Sequence, residues 1–228
     1  MLKRFAKFLE AIVYREDTTD EGVYIRKILT DYKNKKPLYE EFRAAVYKLI
    51  DSLLKDSNYK YQIVSRTKTP ERLREKLLRK SAEGVRYKSL NEIEDLAGIR
   101  VLFYSEGDVE RFVKELRKEI GNNIQIEDKK QKSGYEAVHI VMSFGPERLK
   151  LSEYKHFDDL KSEIQVTSIL RHTWAEIEHD FIYKDISGLK KRDPEKFAIV
   201  EQKLSEILEN HIKQASAQFE EIVKLIDK

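Results

Sequence analysis

A chain of 228 residues, 40% hydrophobic and 37% charged, holds enough apolar material for one globular core, which excludes a disordered or collagen-like protein. It has no Cys, so a disulfide framework, a thiolate metal site, an iron-sulfur cluster and a Cys nucleophile are all excluded, and a reducing, cytoplasmic location is expected. The formal net charge of +3 hides an asymmetry: from Lys60 to Lys88 ten basic residues stand against three acidic ones, which calls for an anionic partner such as a polyphosphate or a nucleic-acid backbone.

Residues 1–56 read as a helical N-terminal region. Phe5, Phe8, Leu9 and Ile12, and later Phe42, Val46, Leu49, Ile50 and Leu53, recur at helical spacing, with a break expected around Lys33 to Pro37. The period then changes. Tyr61 to Ser65, Gly98 to Tyr104, Asn123 to Asp128, Glu136 to Ser143 and Ser162 to Ser168 are short, rich in β-branched residues and bounded by Gly, Ser or Asp, so each reads as a strand. Between them Pro70 opens a helix over Glu71 to Lys80, and Gly121 closes another that begins at Glu106. The pattern turns helical again over Trp174 to Ile182. Beyond Asp193-Pro194 a last helix carries Phe197, Val200, Leu204, Leu208 and Ile212. This order predicts an α+β fold: a mixed sheet of about five strands flanked by helices, a core over 57–185 and a C-terminal helix over 186–228. The longest apolar runs fall far short of a bilayer span, so no membrane association is expected.

Several segments carry candidate chemistry. Arg72, Lys76 and Arg79 follow at i, i+4 and i+7 on one helix face, beside an apolar stripe of Leu73 and Leu77, and Arg66 and Lys68 alternate on the extended segment just upstream. That cluster suits a phosphate clamp, and equally an exposed helix ion-paired to Glu71 and Glu75. Strand alternation buries Ile99, Val101 and Phe103 away from Arg100, buries Ile164 and Val166 away from Glu163 and Gln165, and sets Asp95 at a sheet edge. Two acids at strand ends facing a basic cluster are what Mg²⁺-assisted phosphoryl or pyrophosphoryl transfer needs; either acid alone also suits a cap or a surface ion pair. In SGYEAVH, Gly134 permits a close backbone approach and Tyr135 would stack on a base or sit as a core aromatic, with His139 on the strand face opposite Val138, Ile140 and Met142. His172, Glu176 and His179 share a helix face, but the zinc-protease signature is lacking, so a packed polar face is the preferred reading.

Taken together, the strings SRTKTPERLREKLLRK, IEDLAGIRVLF, KSGYEAVHIVM and LSEYKHFDDLKSEIQVTSILRHTWAEIEHDFIYK resemble, in order and spacing, the nucleotidyltransferase-like synthetase domain of RelA/SpoT proteins, the (p)ppGpp synthetases, over residues of about 40 to 185. The resemblance implies transfer of pyrophosphate from ATP to the ribose 3'-hydroxyl of a guanine nucleotide, GDP or GTP, with AMP released. It implies that Arg66 and Arg100 sandwich the adenine and that Lys68, Lys76 and Arg79 hold the ATP phosphates, with Arg72 in the same ATP-binding set. Asp95 and Glu163 would bind Mg²⁺, Glu163 also acting as general base. Tyr135, His139 and Gln165 would meet the acceptor. The sequence departs from the family pattern at Thr167-Ser168, where Arg-Thr is usual, at Ser133, where Asn is common, and at Arg72, where a small residue is frequent. These departures bear on the acceptor. They leave the transfer chemistry intact and are compatible with one alternative, a toxin of the same family that pyrophosphorylates the 3' end of tRNA; a non-catalytic nucleotide- or RNA-binding module is a separate alternative, ranked last because Asp95 and Glu163 are both retained. A homo-oligomer and an antitoxin protein are left open as partners.

Overall fold

A computed structural model describes residues 19–130, 136–183 and 188–226. The apolar positions Phe5, Phe8, Leu9 and Ile12, and the turn Ser133-Gly134-Tyr135, lie outside the described residues.

Helix α1 runs from Asp20 to Lys55. Thr19 caps it by accepting from the Gly22 N–H at 3.1 Å, and Asp20 and Glu21 occupy the first turn, where the helix dipole favours negative charge. The break expected around Lys33 to Pro37 does not occur: the helix continues through Pro37. Pro37 is exposed, while the buried stripe passes beneath it from Tyr32 to Tyr39, whose rings lie 5.9 Å apart. Burial of Ile25, Ile28, Leu29, Tyr32, Tyr39, Phe42, Val46, Ile50 and Leu54 along one face therefore outweighs the one helical hydrogen bond that proline cannot donate.

Strand β1 (Tyr61–Thr67) leads through the Thr69 cap into α2 (Pro70–Ala82), where Pro70 stands at the first helical position and Leu73 and Leu77 are fully buried. Strand β2 (Ala97–Phe103) is followed by α3 (Glu106–Ile120), which Ser105 caps and Gly121 ends with φ of 64°, a left-handed value that suits glycine. Then come β3 (Ile124–Lys130), β4 (Glu136–Met142), β5 (Ser162–Ser168) and α4 (Ile169–Glu178). A π-helical turn, His179–Tyr183, extends α4, and a second, Leu208–Ile212, joins α5 (Pro194–Ile207) to α6 (Lys213–Ile226), where the sequence reads as one unbroken helix. Among the described residues no helix is long and apolar enough to cross a membrane.

The sheet order is β1-β2-β5-β4-β3, with β2 and β5 parallel and the other neighbours antiparallel, so the architecture is the mixed α+β arrangement expected. One face is apolar. Ile99, Val101, Ile164, Val166, Ile140 and Met142 pack there with α1 residues in a single core, which includes Phe42 edge-on to Phe144 at 5.3 Å and Phe103 tilted on Phe112 at 5.3 Å. The C-terminal helices are tied back at two points: the Trp174 indole N–H donates to the Leu204 carbonyl at 2.9 Å, and Glu220 accepts from the Gly107 N–H at 3.0 Å, at the start of α3. Arg171 joins α4 to α3 by a two-pronged pair with Glu106, at 2.5 and 3.0 Å.

Candidate active site

The second face of the sheet carries the polar side chains, and strand register lines them up. Arg66 on β1 pairs with Gly98 on β2, Gly98 with Glu163 on β5, and Glu163 with Val141 on β4. One row over, Val64 pairs with Arg100, Arg100 with Gln165, and Gln165 with His139. Because directly paired residues share a face, Arg66, Arg100, Glu163, Gln165 and His139 all project from one side. The alternation read from the sequence for Arg100, Glu163, Gln165 and His139 is the observed one.

Hydrogen bonds join these side chains into one chain. His139 Nδ1 lies 2.7 Å from Glu163 Oε1, and Gln165 Nε2 donates to Glu163 Oε2 at 3.0 Å. Gln165 Oε1 in turn accepts from Arg100 Nε and Nη2 at 3.2 and 3.1 Å. Arg100 Nη1 reaches Glu176 Oε1 at 3.0 Å and His172 Nε2 at 3.2 Å. Burial, first, and the adjacent Arg100 guanidinium, second, lower the His172 pKa below its ordinary value, with Glu176 acting against them, so the ring is neutral at pH 7 and its Nε2 accepts from Arg100. His139 is buried, and its Nε2 has no hydrogen-bond partner among the described residues.

The basic cluster meets the first acid. Asp95, two residues before β2, takes Lys76 Nζ on Oδ1 at 2.9 Å and Lys68 Nζ on Oδ2 at 3.0 Å. Both lysines come from the β1-α2 segment, whose turn is fixed by the Lys68 N–H donating to the Leu96 carbonyl at 2.9 Å and by the Tyr32 hydroxyl donating to the Lys68 carbonyl. Burial, with the negative charges of Glu40 and Asp95 adding to it, pushes the Tyr32 hydroxyl up to about 12, so it stays a donor throughout the working pH range. Arg72 and Arg79 are exposed on the same helix as Lys76. The alternative of ion pairs to Glu71 and Glu75 gives way, for Lys76, to Asp95.

Thus the structure brings Lys68 and Lys76 to Asp95, and His139, Gln165 and Arg100 into one chain with Glu163. Tyr135 lies outside the described residues. Sequence reasoning singled out the face of α4 but not its use: His172 and Glu176 engage Arg100. No sequence signal marked that use: it depends on the parallel register that sets Arg100 level with Gln165 on β5, the strand that runs directly into α4. Among the described residues no group of three His, Asp or Glu could by itself hold a metal ion. Asp95 and Glu163, with hard carboxylate oxygens at 24% and 15% exposure, fit the partial set that Mg²⁺ uses when substrate phosphates complete its shell.

Comparison with known proteins follows the same lines. Residues 65–187 match the model of the region found in RelA / SpoT proteins. GTP pyrophosphokinase YwaC of Bacillus subtilis (strain 168) is 25% identical over 170 residues, which span 70% of this chain and 79% of that protein. A GTP pyrophosphokinase family protein from Streptococcus pneumoniae shares the fold with a TM-score of 0.60 at 21% identity, over 86% of this chain and 93% of the other. Small alarmone synthetase 1 from Bacillus subtilis also shares it. Bound to its product pppGpp, that protein gives a TM-score of 0.59 at 19% identity, covering 87% of this chain and 96% of its own. Bound to AMPCPP, it gives 0.55 at 18%, over 85% and 93%.

Proposed function

This chain belongs to the RelA/SpoT family, and from that premise we propose that it is an ATP-dependent pyrophosphokinase which transfers the pyrophosphate of ATP to the ribose 3'-hydroxyl of GDP or GTP and releases AMP. The observation that carries the reading is the placement of two acids among donors of two kinds: Asp95 between Lys68 and Lys76 beside α2, and Glu163 held on both oxygens at the centre of the polar sheet face. YwaC, a GTP pyrophosphokinase, supports the activity, and small alarmone synthetase 1, seen with AMPCPP and with pppGpp, supports the donor and the acceptor.

In this reading Lys68, Lys76, Arg72 and Arg79 receive the triphosphate, and Arg66 and Arg100 take the adenine on the sheet face beside exposed Val64. Glu163 accepts the proton of the acceptor 3'-hydroxyl. The oxygen so released forms a bond to the β-phosphorus, the bond between that phosphorus and the α,β-bridging oxygen breaks, and AMP leaves with the electron pair. Asp95 and Glu163 would hold Mg²⁺, which supplies charge neutralisation on the phosphates. Positioning and charge compensation carry such a transfer without a covalent nucleophile. His139 and Gln165, both bonded to Glu163, flank the acceptor side; Tyr135 completes the acceptor set as the base-stacking ring.

The test is incubation with γ-labelled ATP and Mg²⁺ together with GDP, GTP or deacylated tRNA in separate reactions. Label in a 3'-pyrophosphorylated guanine nucleotide is the expected result. Label only in tRNA would replace the acceptor with the toxin's, and no transfer to any of them would leave the binding-module reading. Lys80, one of the cations that would extend a nucleic-acid track beyond α2, is paired with Glu83 at 2.6 Å, which favours the nucleotide acceptor.

A further inference from the structure

Arg100 is gripped along most of its edge. A guanidinium has five N–H donors, all in its plane. Nε and one Nη2 hydrogen go to Gln165 Oε1, and the two Nη1 hydrogens go to Glu176 and His172. These acceptors come from β5 and from two successive turns of α4, so the group is gripped from two elements. With a single Nη2 hydrogen left over, the group cannot fork onto a phosphate. What it can still offer is its flat face, and guanidinium faces stack on planar rings while keeping their in-plane hydrogen bonds. The register adds the floor, since Val64, 57% exposed, is the direct partner of Arg100 on β1, and exposed Arg66 projects from the same side two residues on.

We propose that Gln165, His172 and Glu176 are positioning residues that engage four of the five edge donors of Arg100 and so hold its flat face ready to stack on the donor nucleotide's base, with His172 as the pH-sensitive member of the grip. The inference rests on the reading that ATP is the donor. The charged groups facing His172 are Arg100 from β2 and Glu176 from its own helix; Gln165 on β5 is uncharged. Its lowered pKa agrees with the geometry: protonation would remove the Nε2 acceptor and set a second cation against Arg100.

The test uses AMPCPP and inorganic tripolyphosphate as probes, the first with a base and the second without. Glu176 is 57% exposed at its side chain, so Glu176→Ala leaves no cavity, and Glu176→Gln restores an acceptor oxygen. Glu176→Ala and His172→Phe should each weaken AMPCPP by about tenfold in calorimetry, the loss of one hydrogen bond to a charged group. The same loss should fall on KM for ATP rather than on kcat, Glu176→Gln should recover most of it, and tripolyphosphate affinity should hold. The ratio of wild-type to His172→Phe affinity for AMPCPP should shrink toward one between pH 7.5 and pH 5, the phosphate titration of the ligand cancelling in the ratio. Equal losses for both probes, or unchanged AMPCPP binding in both variants, would overturn the inference while leaving the function standing. Failure of the wild-type protein to bind AMPCPP at all would instead overturn the proposed function, and the inference with it.

Discussion

Glu163→Gln tests the centre of the mechanism with the least disturbance the site allows. Arg100 can only donate, so the Gln165 amide must turn its oxygen toward Arg100 and its nitrogen toward Glu163, as observed. A glutamine at position 163 would meet that nitrogen with its own oxygen and place its NH₂ toward His139 Nδ1. The imidazole can take that donor by moving its proton to Nε2. Every bond of the chain then survives with one tautomer change, and at 15% side-chain exposure the isosteric amide leaves no cavity. AMPCPP affinity measured without Mg²⁺ and melting temperature should therefore stay close to wild type, while the variant lacks one proposed Mg²⁺ ligand and has no group able to take the 3'-hydroxyl proton. A positioned general base contributes roughly 10²- to 10⁴-fold, about 3 to 5 kcal/mol of barrier. The assay is single-turnover formation of AMP and of labelled product from γ-labelled ATP. A turnover within a few-fold of wild type, in a variant that binds AMPCPP normally, would remove Glu163 from the proton transfer.

Other expectations follow from the same contacts. Lys76→Met takes away one of the two ammonium groups on Asp95; KM for ATP should rise on the order of tenfold while the melting temperature moves little, since Asp95 keeps its Lys68 partner at 3.0 Å, and a matched fall in affinity and melting temperature would make the lysine structural. Pro37→Ala restores a helical N–H at an exposed position inside α1, and urea denaturation should show a gain of up to about 3 kcal/mol; a lower midpoint would mean that the proline bend is part of the packing. Inorganic tripolyphosphate at about a hundred times its Kd should raise unfolding free energy by about 2.7 kcal/mol through mass action on the folded state, and the gain should vanish in Lys68→Met with Lys76→Met.

The local grammar of the chain was legible. Pro70 at a first helical position, Gly121 in a left-handed conformation at the end of α3, and the alternation of Arg100 against Val101 or Glu163 against Ile164 are decided by residues close in sequence, so a linear reading reaches them. The same local reasoning placed a break at Pro37, because the burial of Tyr32 and Tyr39 on one continuous surface is a tertiary effect. It also read one C-terminal helix where a π turn intervenes. For the site, residue types and faces were readable, and partners were not. Lys76 had Glu75 beside it in sequence yet pairs with Asp95, nineteen residues on; Arg100 finds His172 and Glu176 more than seventy residues away. Those pairings depend on β2 and β5 lying side by side and on the point where β5 gives way to α4, which periodicity does not encode.

On the proposed function, in which Lys68 and Lys76 receive the triphosphate, Asp95 illustrates why an acid belongs among them. Two free ammonium groups near one another repel, and each lysine immobilised at the moment of binding costs about 0.5 to 1.5 kcal/mol in side-chain order. Held by the two oxygens of Asp95, Lys68 and Lys76 are already 17 to 19% exposed and fixed within 3.0 Å of a common partner, so that cost is met on folding. An arriving triphosphate then exchanges one set of charge-assisted bonds for another of similar kind, and a divalent cation carried by the phosphates can take over the carboxylate oxygens the lysines release. Asp95 in this scheme serves twice, first ordering the cations and then facing the metal. For that reason Asp95→Asn should cost more in ATP-dependent turnover than either lysine substitution alone, and a milder effect than Lys76→Met would show that the carboxylate only orders the lysines.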